Sequence, residues 1–144
     1  MALSPLDLHQ AVRAFELLLG FSLALQCIEY LRIPALDRVN DWAFLRKEIP
    51  ARPAVVRPVL DALLTPRSYR VLIWLRLLLA VGLLSGGLGL AGAAMLFAIG
   101  LVLLLRWRGA FNGGSDFMTL VGLTGLLIAH VLGAYMGMDL GWRA

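Results

Sequence analysis

The stretch YRVLIWLRLLLAVGLLSGGLGLAGAAMLFAIGLVLLLRW, from Tyr69 to Trp107, decides the fold, because it is apolar over about twice the length of one membrane-spanning helix. The short sequence SGGLG, from Ser85 to Gly89, interrupts it. Because neighbouring glycines favour a tight turn, we predict two helices here, over 69–85 and 88–107, rather than one very long helix.

The composition of the whole chain agrees with a membrane protein. Of its 144 residues, 60% are hydrophobic and 15% are charged, whereas soluble domains contain about 45–50% apolar and about 25% charged residues. Two further apolar runs predict spans over 12–31 and 116–136. The expected fold is therefore an all-α integral membrane domain over 1–144, a four-helix transmembrane bundle.

Lysine and arginine are distributed unevenly among the connections, and this bias predicts the orientation of the spans. The first and third connections hold nearly all of them: Arg32, Arg38, Arg46, Lys47, Arg52, Arg57, Arg67, Arg70, Arg106 and Arg108. The opposite side has only Arg13 and Arg143, near the termini. We expect a multi-pass protein of a cell membrane, the bacterial inner membrane, with both termini outside the cytoplasm.

The first connection, over 32–68, has structure of its own. The sequence AVVRPVLDALL, from Ala54 to Leu64, places its apolar residues on one helical stripe, and LDRVNDWAFLRKEI, from Leu36 to Ile49, is a weaker version. Several prolines break the segment into short pieces. We expect short amphipathic helices at the interface, with the basic residues of 32–70 facing anionic lipid headgroups. The net charge of +4 is explained in this way, without a nucleic-acid partner.

The third connection, RWRGAFNGGSDFMTL from Arg106 to Leu120, is rich in glycine and charge. It lacks the preceding strand and the lysine that a phosphate-binding loop needs. It is typical of a tight turn in which Ser115 or Asp116 caps the next helix. The alternative is a functional charged cluster of Arg106, Arg108 and Asp116 at the membrane surface.

The first span carries three costly polar residues, Glu16, Gln26 and Glu29. Glu16 lies three residues after Arg13, and Glu29 lies three residues before Arg32, so each pair can meet on one helix face. The alternative is that Glu29 pairs across helices with Arg76, which lies in the cytoplasmic half of the second span and can extend to the interface.

His130 lies about 21 Å along the fourth span, at a depth similar to that of Glu16. It could ligate haem or a chlorophyll-type magnesium, relay protons with Glu16, or hydrogen-bond a neighbouring helix. A single histidine is a weak metal candidate, and the only cysteine, Cys27, lies inside an apolar segment. The sequence therefore predicts no metal site and names no cofactor.

Small residues recur at helical spacing in the later spans. Small faces let membrane helices approach closely, so these positions predict a tight bundle or docking to another membrane subunit. They comprise the helix-packing candidates Gly82, Gly86, Gly133 and Gly137, and the small face of the third span formed by Ala91, Gly92, Ala94 and Ala98.

The order of features resembles a known group of membrane proteins. A polar first span is followed by a long connection containing Trp42, then by LLTPRSYRVLIWLRLLLAVGLL, and then by NGGSD before a further span. This is similar to the N-terminal half of the HTTM (horizontally transferred transmembrane) and DoxX-like proteins, relatives of the vitamin K-dependent carboxylase membrane domain. The resemblance covers roughly 12–136. The resemblance implies a helical membrane fold. It does not imply carboxylase-like activity, because it covers only the N-terminal half of such proteins, and their second half would complete the site.

Three functions are then open. We expect a non-catalytic accessory or structural subunit of a larger membrane complex, because no set of catalytic residues converges in the sequence. The alternatives are a membrane enzyme or redox-associated domain of the HTTM or DoxX kind, which would use Glu16, His130 or the loop from Arg106 to Asp116, and a small transporter. The absence of an inverted repeat counts against the transporter.

Overall fold

A computed structural model shows the helices of this chain and describes residues 5–33, 47, 56–63, 65–86, 88–106 and 114–136. In that part, the regular elements are all α-helices. In chain order they are α1 (Pro5–Arg32), α2 (Val56–Leu63), α3 (Pro66–Ser85), α4 (Leu90–Arg106) and α5 (Gly114–Tyr135). The predicted all-α class is confirmed for these residues.

Three helices are long and apolar enough to cross a membrane, namely His9–Arg32 within α1, α3, and Asp116–Tyr135 within α5. The fourth apolar segment, Leu90–Leu104 in α4, is shorter. Most side chains that point away from the bundle are large and apolar; Leu18, Leu78 and Met118, for example, are 72%, 66% and 74% exposed. Such a surface is unfavourable in water and suits hydrocarbon. The predicted membrane location is supported by these helices.

The helices α1 and α3 begin earlier than the apolar runs predicted, whereas α4 begins at Leu90 rather than at 88. α1 begins at Pro5 rather than at 12, because helical backbone continues through polar residues that a hydropathy pattern leaves out. α3 begins at Pro66 rather than at 69. Thr65 precedes it as the N-cap and accepts a hydrogen bond from the Ser68 backbone N–H, and proline is well suited to the first helical position.

The break between α3 and α4 is confirmed, and Gly86 produces it. Gly86 has a φ of +81°, a left-handed conformation that residues with a Cβ rarely adopt. From this position its backbone N–H donates to the last carbonyls of α3. Gly86 was predicted as a helix-packing residue; it lies at the C-cap, where it terminates the helix, and its packing role stays a prediction.

The four long helices form a ring in which α1 packs against α3, α3 against α4, α4 against α5, and α5 against α1. Each helix contributes two buried residues to one apolar core: Leu19, Leu23, Ala80, Leu83, Ala93, Leu96, Leu123 and Leu126. We call its four members from α1 and α5 the leucine layer: Leu19, Leu23, Leu123 and Leu126. Three of these, Leu23, Leu123 and Leu126, are completely buried, so this part of the interior is dry.

α1 and α3 approach each other closely at Gly20 of α1. A Cβ placed there would meet the Ala80 carbonyl oxygen of α3 at 3.2 Å. The sequence analysis missed this contact, although Gly20 and Ala24 have the four-residue spacing of small residues that signals close packing.

The other predicted packing glycines differ in position. A Cβ at Gly82 would meet the side chain of Leu88, which lies in the connection between α3 and α4, and not a residue of another long helix. Gly133 is buried in α5, and Gly137 lies outside the described residues. The alanines of the predicted small face of α4, Ala91, Ala94 and Ala98, point away from the bundle.

One of the two predicted short helices of the first connection is present, and its location at the interface stays a prediction. α2 has eight residues and covers part of the predicted stripe, with Leu60 and Leu63 half-buried and Val59 exposed. The weaker stripe from Leu36 to Ile49 lies outside the described residues, apart from Lys47, which is exposed in helical conformation.

Candidate functional site

The first group of polar side chains inside the bundle joins α1, α3 and α5; we call it the Glu16 cluster, consisting of Arg13, Glu16 and His130. Glu16 and His130 are 4% and 5% exposed. Arg13 Nη1 donates to Glu16 Oε2 at 3.0 Å, and His130 Nε2 lies 3.0 Å from Glu16 Oε1. Both carboxylate oxygens of Glu16 therefore have a polar partner, which offsets the cost of burying a charge.

Arg13 has a second task at the end of α3. Its Nη1 donates to the Leu83 carbonyl at 2.8 Å, and its Nη2 donates to the Leu84 carbonyl. The last carbonyls of a helix have no partner within the helix, and an unsatisfied carbonyl is especially costly in hydrocarbon. A cation at this end also complements the helix dipole. One guanidinium thus neutralises Glu16 and ties α1 to the C-terminal end of α3.

The contact between Glu16 and His130 can hold a proton in two ways. An ionised carboxylate only accepts, so His130 Nε2 then carries the hydrogen and donates it to Glu16. A protonated Glu16 instead donates its O–H to an unprotonated Nε2. The two residues, expected at similar depth, are in direct contact, and the arrangement is chemically suited to storing or passing one proton.

The second group of polar side chains, the Arg76 cluster, consists of Gln26, Arg76 and Thr119. Gln26 Nε2 donates to Thr119 Oγ1 at 2.8 Å. Arg76 Nη2 donates to Gln26 Oε1 over a long 3.4 Å. Arg76 is only 3% exposed, and its Nε–H has no acceptor among the described residues. A buried N–H without an acceptor costs free energy, so Arg76 lacks part of the hydrogen bonding that its burial requires.

Arg76 and Glu29 do not form the pair that the sequence analysis gave as an alternative. Arg76 lies 10 residues into α3, about 15 Å along the helix axis, and is buried in the bundle rather than extended to the interface. The contact from α1 comes from Gln26, one helical turn before Glu29. Glu29 and Arg32 are both exposed.

A tyrosine and an aspartate meet beside the Arg76 cluster. Tyr30 Oη donates to the Asp116 carboxylate, at 2.9 Å from Oδ1 and 3.0 Å from Oδ2. Asp116 lies in the first turn of α5, as the predicted stabilisation of the positive helix end requires. α5 begins at Gly114, so Ser115 and Asp116 lie within its first turn rather than before it, and their capping role stays a prediction.

The described part of the chain does not cover the two arginines of the proposed charged cluster in full. The side chain of Arg106 and the whole of Arg108 lie outside it, so the proposed charged cluster with Asp116 stays a prediction. Among the described residues, no three side chains of the types His, Cys, Asp and Glu come together to hold a metal ion. His130 directs its Nε2 to Glu16, so only its other ring nitrogen could face a ligand.

Removing the hydroxyl of Tyr30 tests the bond to Asp116. We expect Tyr30→Phe to lower the free energy of unfolding by about 1.5 kcal/mol, because a hydrogen bond to a charged acceptor is lost. Tyr135→Phe is the matched control, since Tyr135 is 89% exposed, and it should change stability by less than about 0.5 kcal/mol. Unfolding in mixed micelles measures both, and equal stability of the two variants would contradict the role of the bond.

Sequence reasoning did not find the contacts of four of these residues. Gln26 was noted only for its cost, Tyr30 and Thr119 were not singled out, and Arg13 was assigned only its contact with Glu16. A hydroxyl or amide inside an apolar helix is a weak but usable signal, because it needs a partner in hydrocarbon. Comparison with known proteins adds no further guide to these residues: no protein-family model, no curated protein and no solved structure matches this chain.

Proposed function

We propose that this chain is a small multi-pass membrane protein that acts as a non-catalytic accessory or structural subunit of a larger membrane complex. The observation that carries the proposal is the outward face of α4. Ala91, Ala94 and Ala98 share that face and are exposed. Small side chains let another membrane helix approach closely.

In this proposal α4 crosses the membrane as the fourth span, and its described residues, Leu90–Arg106, extend about 25 Å. The proposal thereby includes the four-span bundle predicted from the sequence. It also includes a relationship with the HTTM and DoxX-like proteins.

The experiment compares two alanines that both point outward. Ala94→Phe fills the proposed docking face of α4, whereas Ala14→Phe makes the same change on the outer surface of α1. The protein is purified from its native membrane in mild detergent, and its partners are quantified by mass spectrometry. We expect a partner in fixed stoichiometry with the wild type and with Ala14→Phe, and its loss with Ala94→Phe. A wild-type protein without any stoichiometric partner contradicts the proposal.

We propose further that both termini face away from the cytoplasm of a bacterial cell and that 32–70 lies against anionic headgroups on the cytoplasmic side. The distribution of basic residues supports this orientation. New cysteines at Ser4 and Ala144, in a Cys27→Ala background, report it through a membrane-impermeant reagent. Labelling in intact cells agrees with the proposal, and labelling only after lysis contradicts it.

The second candidate function is a membrane enzyme or redox-associated domain, and the contact between Glu16 and His130 specifically favours it. Intramembrane ionisable pairs commonly serve in proton transfer. Infrared difference spectra between acid and alkaline membranes would show a carboxyl carbonyl band that is lost in Glu16→Gln. If no such band titrates over the physiological pH range, the pair is structural and this candidate is removed.

A further inference from the structure

A recess opens beside the Arg76 cluster, between α3, α4 and α5. Arg76 lines it from α3, Gly100 and two leucines line it from α4, and Asp116 and two leucines line it from α5. Its free volume for water-sized groups is about 10 Å³, which is room for about one oxygen atom with its hydrogens. The recess is therefore too small for a lipid headgroup but large enough for a single hydroxyl group.

The charges around the recess restrict its guest. Arg76 and Asp116 both line it, yet they do not form an ion pair with each other within the described structure. Arg76 offers its unused Nε–H, and Asp116 offers carboxylate lone pairs beside those that Tyr30 occupies. A guest with a net charge would be attracted by one of these groups and repelled by the other, so its charge gains little. A neutral group that both accepts and donates a hydrogen bond can instead satisfy Arg76 and Asp116 together.

The rest of the lining is apolar, and part of it can be reached from outside. Leu104 and Leu120 are half-buried, whereas Leu103 and Leu123 are buried. An alkyl chain attached to the guest oxygen could leave past the half-buried leucines and lie along the apolar surfaces of α4 and α5. Water would find two polar groups here, at the lower end of the two to four that buried water has, whereas an amphiphile would also bury its chain against the apolar lining.

We propose that this recess binds the hydroxyl group of a neutral, single-hydroxyl membrane amphiphile, a long-chain alcohol in chemical class. Its oxygen accepts from Arg76 Nε–H, its O–H donates to Asp116, and its chain lies in the hydrocarbon. The bound hydroxyl would supply the acceptor that Arg76 Nε–H lacks among the described residues. The proposal does not depend on the proposed partner complex.

The test uses three photoreactive probes of equal chain length, a long-chain alcohol, the matching fatty acid and the matching amine, each carrying a diazirine. The protein is placed in phosphatidylcholine vesicles, irradiated, and analysed by peptide mass spectrometry. We expect the alcohol to label residues around Leu104 and Leu120 about fivefold more than the acid or the amine, as one net hydrogen bond implies. Excess unlabelled alcohol should suppress this labelling in the wild type.

Two tryptophan variants identify the recess as the origin of the signal. Leu104→Trp fills it and should reduce alcohol labelling to the level of the acid. Leu78→Trp adds the same bulk on the exposed surface of α3 and should leave labelling unchanged. Stronger labelling by the acid would show an anion site and overturn the proposal. Equal labelling by all three probes, or labelling that unlabelled alcohol does not suppress, would show that no hydroxyl amphiphile binds and would overturn it as well. The competition arm needs only the wild type, so it decides the matter even if Leu104→Trp does not fold.

Discussion

Arg13→Met is expected to lower the free energy of unfolding by about 3–5 kcal/mol, which is the range for breaking a buried ion pair by removing one partner. Methionine has a similar length but offers no donor. Glu16 would keep only His130 as a partner, and the carbonyls of Leu83 and Leu84 would lose the guanidinium that they now accept from. The larger consequence is the one for Glu16, which is buried, whereas the Leu83 carbonyl keeps the Gly86 N–H as a donor.

The control for this variant is Arg32→Met, at the other end of the same helix. Arg32 is exposed in the last turn of α1, so its loss should change stability by less than about 0.5 kcal/mol. Titration of the folded protein with a denaturing detergent in mixed micelles measures both variants. Equal losses would mean that Arg13 acts only through overall charge, and the capping of α3 would have no energetic role.

Gly20→Leu is the second substitution with a large expected effect, a loss of about 3 kcal/mol at the upper end of the range for overpacked contacts. The first atom of the new side chain would meet the Ala80 carbonyl oxygen at 3.2 Å. Backbone cannot turn aside as a flexible side chain can, so α1 and α3 must separate. The separation would also pull Arg13 away from the end of α3.

Gly125→Leu separates this effect from any general cost of losing a glycine. Gly125 is exposed on α5, and a Cβ there meets nothing within 4 Å. Since leucine favours helix over glycine, this variant should be as stable as the wild type or slightly more stable. The same detergent titration compares the two, and similar stability of both variants would show that α1 and α3 are not in close contact.

The helices could be predicted because hydrocarbon imposes a minimum apolar length on each span. The break at Gly86 was predictable for a similar reason, since neighbouring glycines in an apolar run have few other uses. The depth of His130 followed from the rise per residue alone, which is why its proximity to Glu16 could be foreseen. The position of a residue along its helix axis can thus be predicted from the sequence.

The direction in which a side chain points around the helix axis was harder to predict. Gln26 and Glu29 lie one turn apart but differ by about 60° in direction, and this difference decides which of them contacts Arg76. The role of Arg13 at the end of α3 depends on which helices are neighbours, which no single segment specifies. The outward direction of Ala94 depends on the same information.

The leucine layer has an electrical consequence. It lies between the Glu16 cluster and the Arg76 cluster, and its leucines offer no group that could pass a proton. Carrying one charge through the full membrane potential involves about 2.3 kcal/mol per 100 mV. A proton gained by His130 would traverse only a small part of that field, because the layer insulates it from the opposite side. In planar bilayers we therefore expect no steady current through the protein at any applied voltage, and each polar cluster should exchange protons only with the compartment nearest to it.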